Sequence, residues 1–201
     1  KHLGTDHHTI ECNYEEGISM IENFSHYYDE PFSDSSAIPS LILAKHTRKH
    51  VTVALSGDAG DESFLGYHRY QWMGIAEKFY KIPKVARTMV TGTLGAFPSY
   101  KGKVVAGVLG SESLTQAYIK MMIGGTNGEW YHKPEHDYIE PYRKYLFHDN
   151  KNIYERISDF DLKTYLNGDI NTKVDRATMA YSLEARSPFL DYRIVEFGRL
   201  L

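Results

Sequence analysis

The stretch Val51 to Tyr70, VTVALSGDAGDESFLGYHRY, constrains the fold more than any other part of the chain. It opens with Val51-Thr52-Val53-Ala54-Leu55, a β-branched, apolar run of the kind that forms a buried strand. That run passes directly into Ser56-Gly57-Asp58-Ala59-Gly60-Asp61-Glu62, where Gly57 and Gly60 let the backbone bend sharply and present its N–H groups. A helical pattern follows, with Phe64, Leu65 and further aromatic residues. Strand, glycine turn and helix in this order mark where open α/β sheets take their ligands, beyond the carboxyl ends of their strands.

The charge of the turn is unusual. A phosphate-cradling loop usually carries a lysine, whereas this one carries Asp58, Asp61 and Glu62. Carboxylates repel a polyphosphate unless a hard cation such as Mg²⁺ lies between them. The turn therefore reads as the holder of a metal–phosphate complex, as the activator of a nucleophile, or as both. A plainer alternative stays open, because Asp61 and Glu62 also suit the first turn of any helix, where the macrodipole favours acids.

A second stretch has the same kind of tension. Gly168, with Asn167 and Asn171 near it, marks a turn, and a helix is expected from about Thr172 to Ala185. Val174, Ala177, Thr178 and Tyr181 line one face; Met179, Ala180 and Leu183 fill much of the rest, so the helix should be buried. Its first turn nevertheless carries Lys173 and Arg176, and cations at a helix N-terminus oppose the macrodipole unless an anion joins them. A phosphate group is one such anion. Surface salt bridges with Asp175 or Glu184 are the ordinary alternative.

Between and before these stretches the pattern is mixed α/β, then helical. Residues 7–14 alternate enough for a short strand. Residues 15–28 carry Ile18, Ile21, Phe24 and Tyr28 at helical spacing. A polar loop broken by Pro31 precedes a helix over 37–50, with Ser36 or a neighbour as its cap. Helices are expected again over 71–80, 83–94, 113–123 and 152–166, and a last one follows Pro188. Gly124–Gly128 reads as a loop between helices, and Trp130–Asn150 as a mobile surface connection. The fold class that results is α/β, a partial parallel sheet with a largely helical C-terminal half. Residues 1–70 would supply the sheet part and 71–201 the helical part.

Composition narrows the partners. The 201 residues suffice for one domain, and a net charge of -3 gives no reason to expect nucleic-acid or membrane affinity. No apolar run approaches the roughly 20 residues of a membrane span, and no leader pattern opens the sequence. The single cysteine, Cys12, fits a reducing cytoplasm, and its setting suggests core packing rather than a nucleophile. His46 and His50 have zinc-compatible i, i+4 spacing, but Lys and Arg lie between them, so they read as cations at a helix C-terminus rather than as a zinc hydrolase site. The start at Lys1 rather than Met, and the uncapped run Ile194–Leu201, suggest a piece of a larger protein.

Together the two stretches resemble the synthetase domain of the asparagine synthetase family. Ser56 to Tyr67 follows the pattern S-G-D/E-G-x-D-E-x-F-x-G-Y, and Lys173 to Asp191 follows K-x-D-R/K-x-x-M-A-x-x-x-E-x-R-x-P-F-L-D. Leu3–His8 (LGTDHH) and Asp29–Ser40 (DEPFSDSSAIPS) resemble the family as well. The resemblance implies a sheet of the adenine-nucleotide alpha-hydrolase, or ATP pyrophosphatase, type. It also implies ATP and Mg²⁺, activation of the aspartate carboxylate as an acyl-adenylate, and displacement of AMP by ammonia from a glutaminase domain that this chain does not contain. By the same resemblance Ser56 and Gly57 contact ATP, Asp58 lies near the intermediate and incoming ammonia, Asp61 lies near Mg²⁺–pyrophosphate, and Arg176 and Lys173 face phosphate. Glu184 and Arg186 form an ion pair at the Pro188 turn.

Two departures stand out. The family's S-G-G-x-D-S pyrophosphate loop is not in the sequence, so the isolated chain is expected to be inactive. Ala59 also stands where the family has glycine and must find a permissible φ. The rival readings are an amidotransferase acting on a sugar or peptide carboxylate and a non-catalytic nucleotide-binding module. A homodimer is left open.

Overall fold

The computed structural model describes residues 2–96, 99–122 and 151–201. The expected Gly124–Gly128 loop and the Trp130–Asn150 connection lie outside the described residues. The chain is α/β and mostly helical, and it divides into two compact units. One unit combines Lys1–Ala59 with Leu166–Ile194; the other combines Gly60–Tyr165 with Val195–Leu201.

In the first unit, α1 (Tyr14–Glu22) starts at Asn13, whose side chain accepts from the Glu16 N–H at 2.7 Å. The residues expected to form a strand over 7–14 have no regular structure up to Asn13, because no neighbouring strand among the described residues offers a ladder. Cys12, expected in the core, is therefore exposed. The helix expected over 15–28 breaks at Asn23, whose amide donates to the Ser19 carbonyl, and resumes as α2 (Phe24–Tyr27). Next come α3 (Ala37–Thr47) and β1 (Val53–Leu55).

The run expected to be a buried strand is short and open. Val51, Val53 and Leu55 are 42, 41 and 73% exposed, because β1 has a single partner, β2 (Glu184–Arg186), among the described residues. The two strands run parallel, Val53 opposite Glu184 and Leu55 opposite Arg186, and the ladder extends through Ser56 N–H to the Arg186 carbonyl at 2.9 Å. Here tertiary pairing overrides helix propensity. The helix expected to reach Ala185 ends as α10 (Thr172–Met179), Ser182 takes a left-handed φ of 55°, and the chain enters β2. Burial on all sides of that helix is likewise not found: Lys173 and Ala177 are buried, while Met179 is 60% exposed. The turn expected around Gly168 is a π-helical segment, Leu166–Asn171, that runs straight into α10.

The core of this unit is Met20, Tyr28, Ala37, Leu41, Ile42 and Ala177, where α1, α3 and α10 meet. Burying a side chain such as Leu41 contributes about 1.5–3 kcal/mol. Tyr28 stacks between Phe24 and Phe32, with ring centroids 4.7 and 4.8 Å away, and donates to the Lys173 carbonyl at 3.2 Å. Burial pushes its phenol up to about 12.

The second unit is helical. It comprises α4 (Gly60–Phe64), α5 (His68–Tyr80), α6 (Lys84–Ala96), α7 (Tyr100–Leu109), α8 (Leu114–Met122), α9 (Ile153–Lys163) and the end of α11 (Tyr192–Gly198). The sequence pattern did not indicate α7. Tyr70, Met73 and Ala76 recur every third residue of α5 and pack on Ala117, Tyr118, Ile157 and Phe160. A reciprocal capping box between Asn152 and Glu155 starts α9.

Candidate functional site

The turn after β1 is pinned at both ends. Ser56 N–H belongs to the strand ladder, and Ser187 Oγ donates to the Asp58 carbonyl. Between them Gly57 has open space where a side chain would stand. Ala59 then closes the turn, 2% exposed, at φ 69°. That is the left-handed conformation a glycine adopts freely, and an L-residue holds it at a cost of roughly 1–2 kcal/mol. The sequence left the φ at this position open, and the structure shows it to be strained.

Ser56 and Asp58 line a cavity of about 260 Å³. The opposite wall is one face of the helix: Asn171, Asp175 and Thr178, three to four residues apart, with Glu184 of β2 beside them. No Lys or Arg side chain lines it among the described residues. The two cations singled out in the sequence are on the other faces of α10. Lys173, buried, places Nζ 2.6 Å from Asp34 Oδ2 and 2.8 Å from Ser36 Oγ. Arg176 places Nη1 2.5 Å from Asp29 Oδ2, with both side chains well exposed. The anions that accompany these cations are therefore the acids of the 29–36 loop and not Asp175 or Glu184. Glu184 instead pairs with Arg186 at 2.8 Å, as expected for those two.

Asp34 organises that loop. It accepts from Ser36 N–H at 2.8 Å and Ser36 Oγ at 2.7 Å, so Ser36 serves Asp34 and makes no side-chain cap on α3. Burial alone would raise the Asp34 carboxyl, but the hydrogen bonds from Lys173 and Ser36 outweigh it and hold the group below its usual range. At the end of α3, His46 Nε2 lies 3.2 Å from both carboxylate oxygens of Glu16, which Lys45 also reaches at 2.7 Å. Hydrogen bonds from Lys45 and His46 lower the Glu16 carboxyl. His50 stacks on His8 at 5.7 Å. Among the described residues, no three metal-binding side chains come together.

Asp61 lies in the first turn of α4 in the second unit. Its side chain is exposed, it makes no ion pair among the described residues, and its carboxylate lies against Gly66. A lone, solvent-facing carboxylate fits Mg²⁺, which keeps several waters and takes one or two carboxylates together with substrate phosphates.

One cluster went unnoticed in the sequence. Asp161, fully buried, uses Oδ2 to accept from Arg69 Nη2 at 2.8 Å, Tyr70 Oη at 2.7 Å and Tyr118 Oη at 2.6 Å. The Arg69 guanidinium also lies 3.5 Å from the Tyr67 ring centroid. Burial would lower the Arg69 pKa, but Tyr118 and Asp161 reverse this and raise it. Arg69 and Asp161 are 92 positions apart, and no spacing rule joins them.

A family model described as asparagine synthase matches residues 1–199. A glutamine-hydrolysing asparagine synthetase of Bacillus subtilis is 31% identical over 196 residues, which is 94% of this chain and 31% of that protein. A provisionally named glutamine-hydrolysing asparagine synthetase of Mycobacterium tuberculosis is 30% identical over 200 residues, 94% of this chain and 30% of that protein. A similarly named protein of Methanocaldococcus jannaschii is 38% identical over 85 residues, 42% of this chain and 16% of that protein. The chain thus spans less than a third of the length of these relatives. No solved structure matches it significantly.

Proposed function

The chain belongs to the asparagine synthase family, and on that premise we propose that it is part of an ATP-dependent, AMP-forming amide ligase that makes asparagine. The aspartate side-chain carboxylate attacks the α-phosphorus of ATP and pyrophosphate leaves. Ammonia then attacks the acyl carbon of the adenylate and AMP departs. The relatives' names support glutamine as the ammonia source, released by a glutaminase domain elsewhere in a longer protein. We place the reaction in the cytoplasm and the nucleotide on a sheet of the ATP pyrophosphatase type, with residues 1–70 completing its nucleotide-binding part and 71–201 its helical part. No helix among the described residues is long and apolar enough to cross a membrane.

The observation that carries this reading is the pinned Ser56–Asp58 turn, which lines a cavity beyond the carboxyl end of a parallel strand. Ser56 and the uncovered backbone of Gly57 receive ATP. Asp58 accepts a proton from the attacking ammonia nitrogen. Arg176 and Lys173 do not line that cavity; we assign them to the departing pyrophosphate, Arg176 by exchanging the exposed Asp29 carboxylate for phosphate and Lys173, held by Asp34 and Ser36, by anchoring the same helix turn. Asp61 would hold Mg²⁺, which when bound would neutralise charge on the polyphosphate. The sequence holds no S-G-G-x-D-S loop, so the isolated chain does not catalyse ATP–pyrophosphate exchange.

The test is product analysis of the full-length protein given aspartate, ATP, Mg²⁺ and ammonium. Asparagine, AMP and pyrophosphate form in equal amounts. An amide formed only with another carboxylate would move the acceptor to a sugar or peptide. No nucleotide turnover with any carboxylate would leave a nucleotide-binding module.

A further inference from the structure

The α4 helix has only five residues, too few to hold their own conformation. Its neighbours fix it instead. Glu62, 1% exposed, accepts from Tyr67 Oη at 2.7 Å, and its carbonyl accepts from Ser158 Oγ of α9 at 2.7 Å. Tyr67 lies under the Arg69 guanidinium, and Arg69 is held by fully buried Asp161. A continuous set of contacts, Asp161–Arg69–Tyr67–Glu62, buried at both ends and partly buried between, therefore ends one residue from Asp61. On the other side of α4, the Gly66 N–H donates to the Asp61 carbonyl at 2.9 Å, and a Cβ at Gly66 would fall 2.0 Å from Asp61 Oδ1. The carboxylate rests in space that glycine alone leaves free.

Resting on the reading of Asp61 as the Mg²⁺ ligand, we infer that Gly66 and the Glu62–Tyr67–Arg69–Asp161 set are positioning residues that aim the Asp61 carboxylate at the metal. None of them touches the metal or the reacting atoms. Glu62 and Tyr67 set the rotation of α4, Arg69 and Asp161 lock Tyr67, and Gly66 leaves room for the carboxylate.

The experiment is Mn²⁺ binding to the full-length protein, followed by electron paramagnetic resonance, with Asp61→Asn, Gly66→Ala and Tyr67→Phe beside the wild type. Gly66 does not sit in the left-handed region, so its φ admits alanine, and the added Cβ meets the Asp61 side chain first, with the Asp61 Cα 3.2 Å away. Partners that orient a metal ligand are worth about 10–100-fold in metal affinity. Gly66→Ala and Tyr67→Phe should each weaken Mn²⁺ in that range and raise the Mg²⁺ concentration for half-maximal activity, with native circular dichroism retained. If Asp61→Asn weakens Mn²⁺ while either of the other two binds it as the wild type does, the positioning inference is overturned and the Asp61 assignment stands. If Asp61→Asn binds as the wild type does, the assignment fails and the inference falls with it.

Discussion

Two arginine–aspartate pairs, one in each compact unit, show how the same chemistry serves different ends. Arg69 and Asp161 meet where the carboxylate is fully buried, with two tyrosine hydroxyls on the same oxygen and a ring beneath the guanidinium. Arg176 and Asp29 meet near the surface, with 45 and 73% of their side chains exposed. The first pair cannot trade partners without stranding a charge in the interior. The second can, because water compensates either ion when they part. Lys173 and Asp34 lie between these extremes, largely buried but held by one lysine and one serine. A cation meant to meet a transient phosphate belongs in the second kind of setting, and one that holds an element in place belongs in the first.

The comparison is broken most readily at its buried end. Arg69→Ala leaves Asp161 charged in the interior, and losing one partner of a buried pair costs about 3–5 kcal/mol. Urea unfolding at neutral pH should show that loss, and a loss comparable to that of a surface variant would mean the pair does not lock the helices together. Lys173→Met should cost about 2 kcal/mol, the scale of hydrogen bonds to a charged group. The Asp34 carboxyl is held below its ordinary value of 3.8, so the pair's contribution is present above that pH and fades as pH falls through the lowered value. The stability gap between wild type and Lys173→Met should therefore close as pH falls below about 4; a gap that persists into stronger acid would show that Asp34 is not the partner that matters. Arg176→Ala should cost less than about 1 kcal/mol, since exposed pairs contribute little. A large loss there would make Arg176 a structural residue like Arg69.

What the sequence disclosed follows the same division between local and distant. Ile18, Ile21 and Phe24 recur at helical spacing and form helices, and the run expected to be helical over 83–94 does likewise, because spacing along the chain is enough to define an amphipathic face. The Ser56–Glu62 turn was legible because its glycines and acids are contiguous. Glu184–Arg186 was not legible as a strand: its glutamate, alanine and arginine favour helix, and only pairing with Val53–Leu55 makes them extended. The partners of Lys173 and Arg69 were hidden for a plainer reason. They stand 139 and 92 positions away, and neither pair is written in any local pattern. The α7 helix was masked by Gly102 and Gly107, which weaken a helical signature without preventing the helix.

The most direct test of the exchangeable cation is isotope exchange between ATP and pyrophosphate in the full-length protein, measured for wild type and Arg176→Ala together with their unfolding midpoints. The wild type should exchange only when aspartate is present. Arg176→Ala should lose about 100-fold or more of that exchange, the scale of removing one group that stabilises developing charge, at an almost unchanged midpoint. Exchange that survives undiminished in Arg176→Ala would contradict the account.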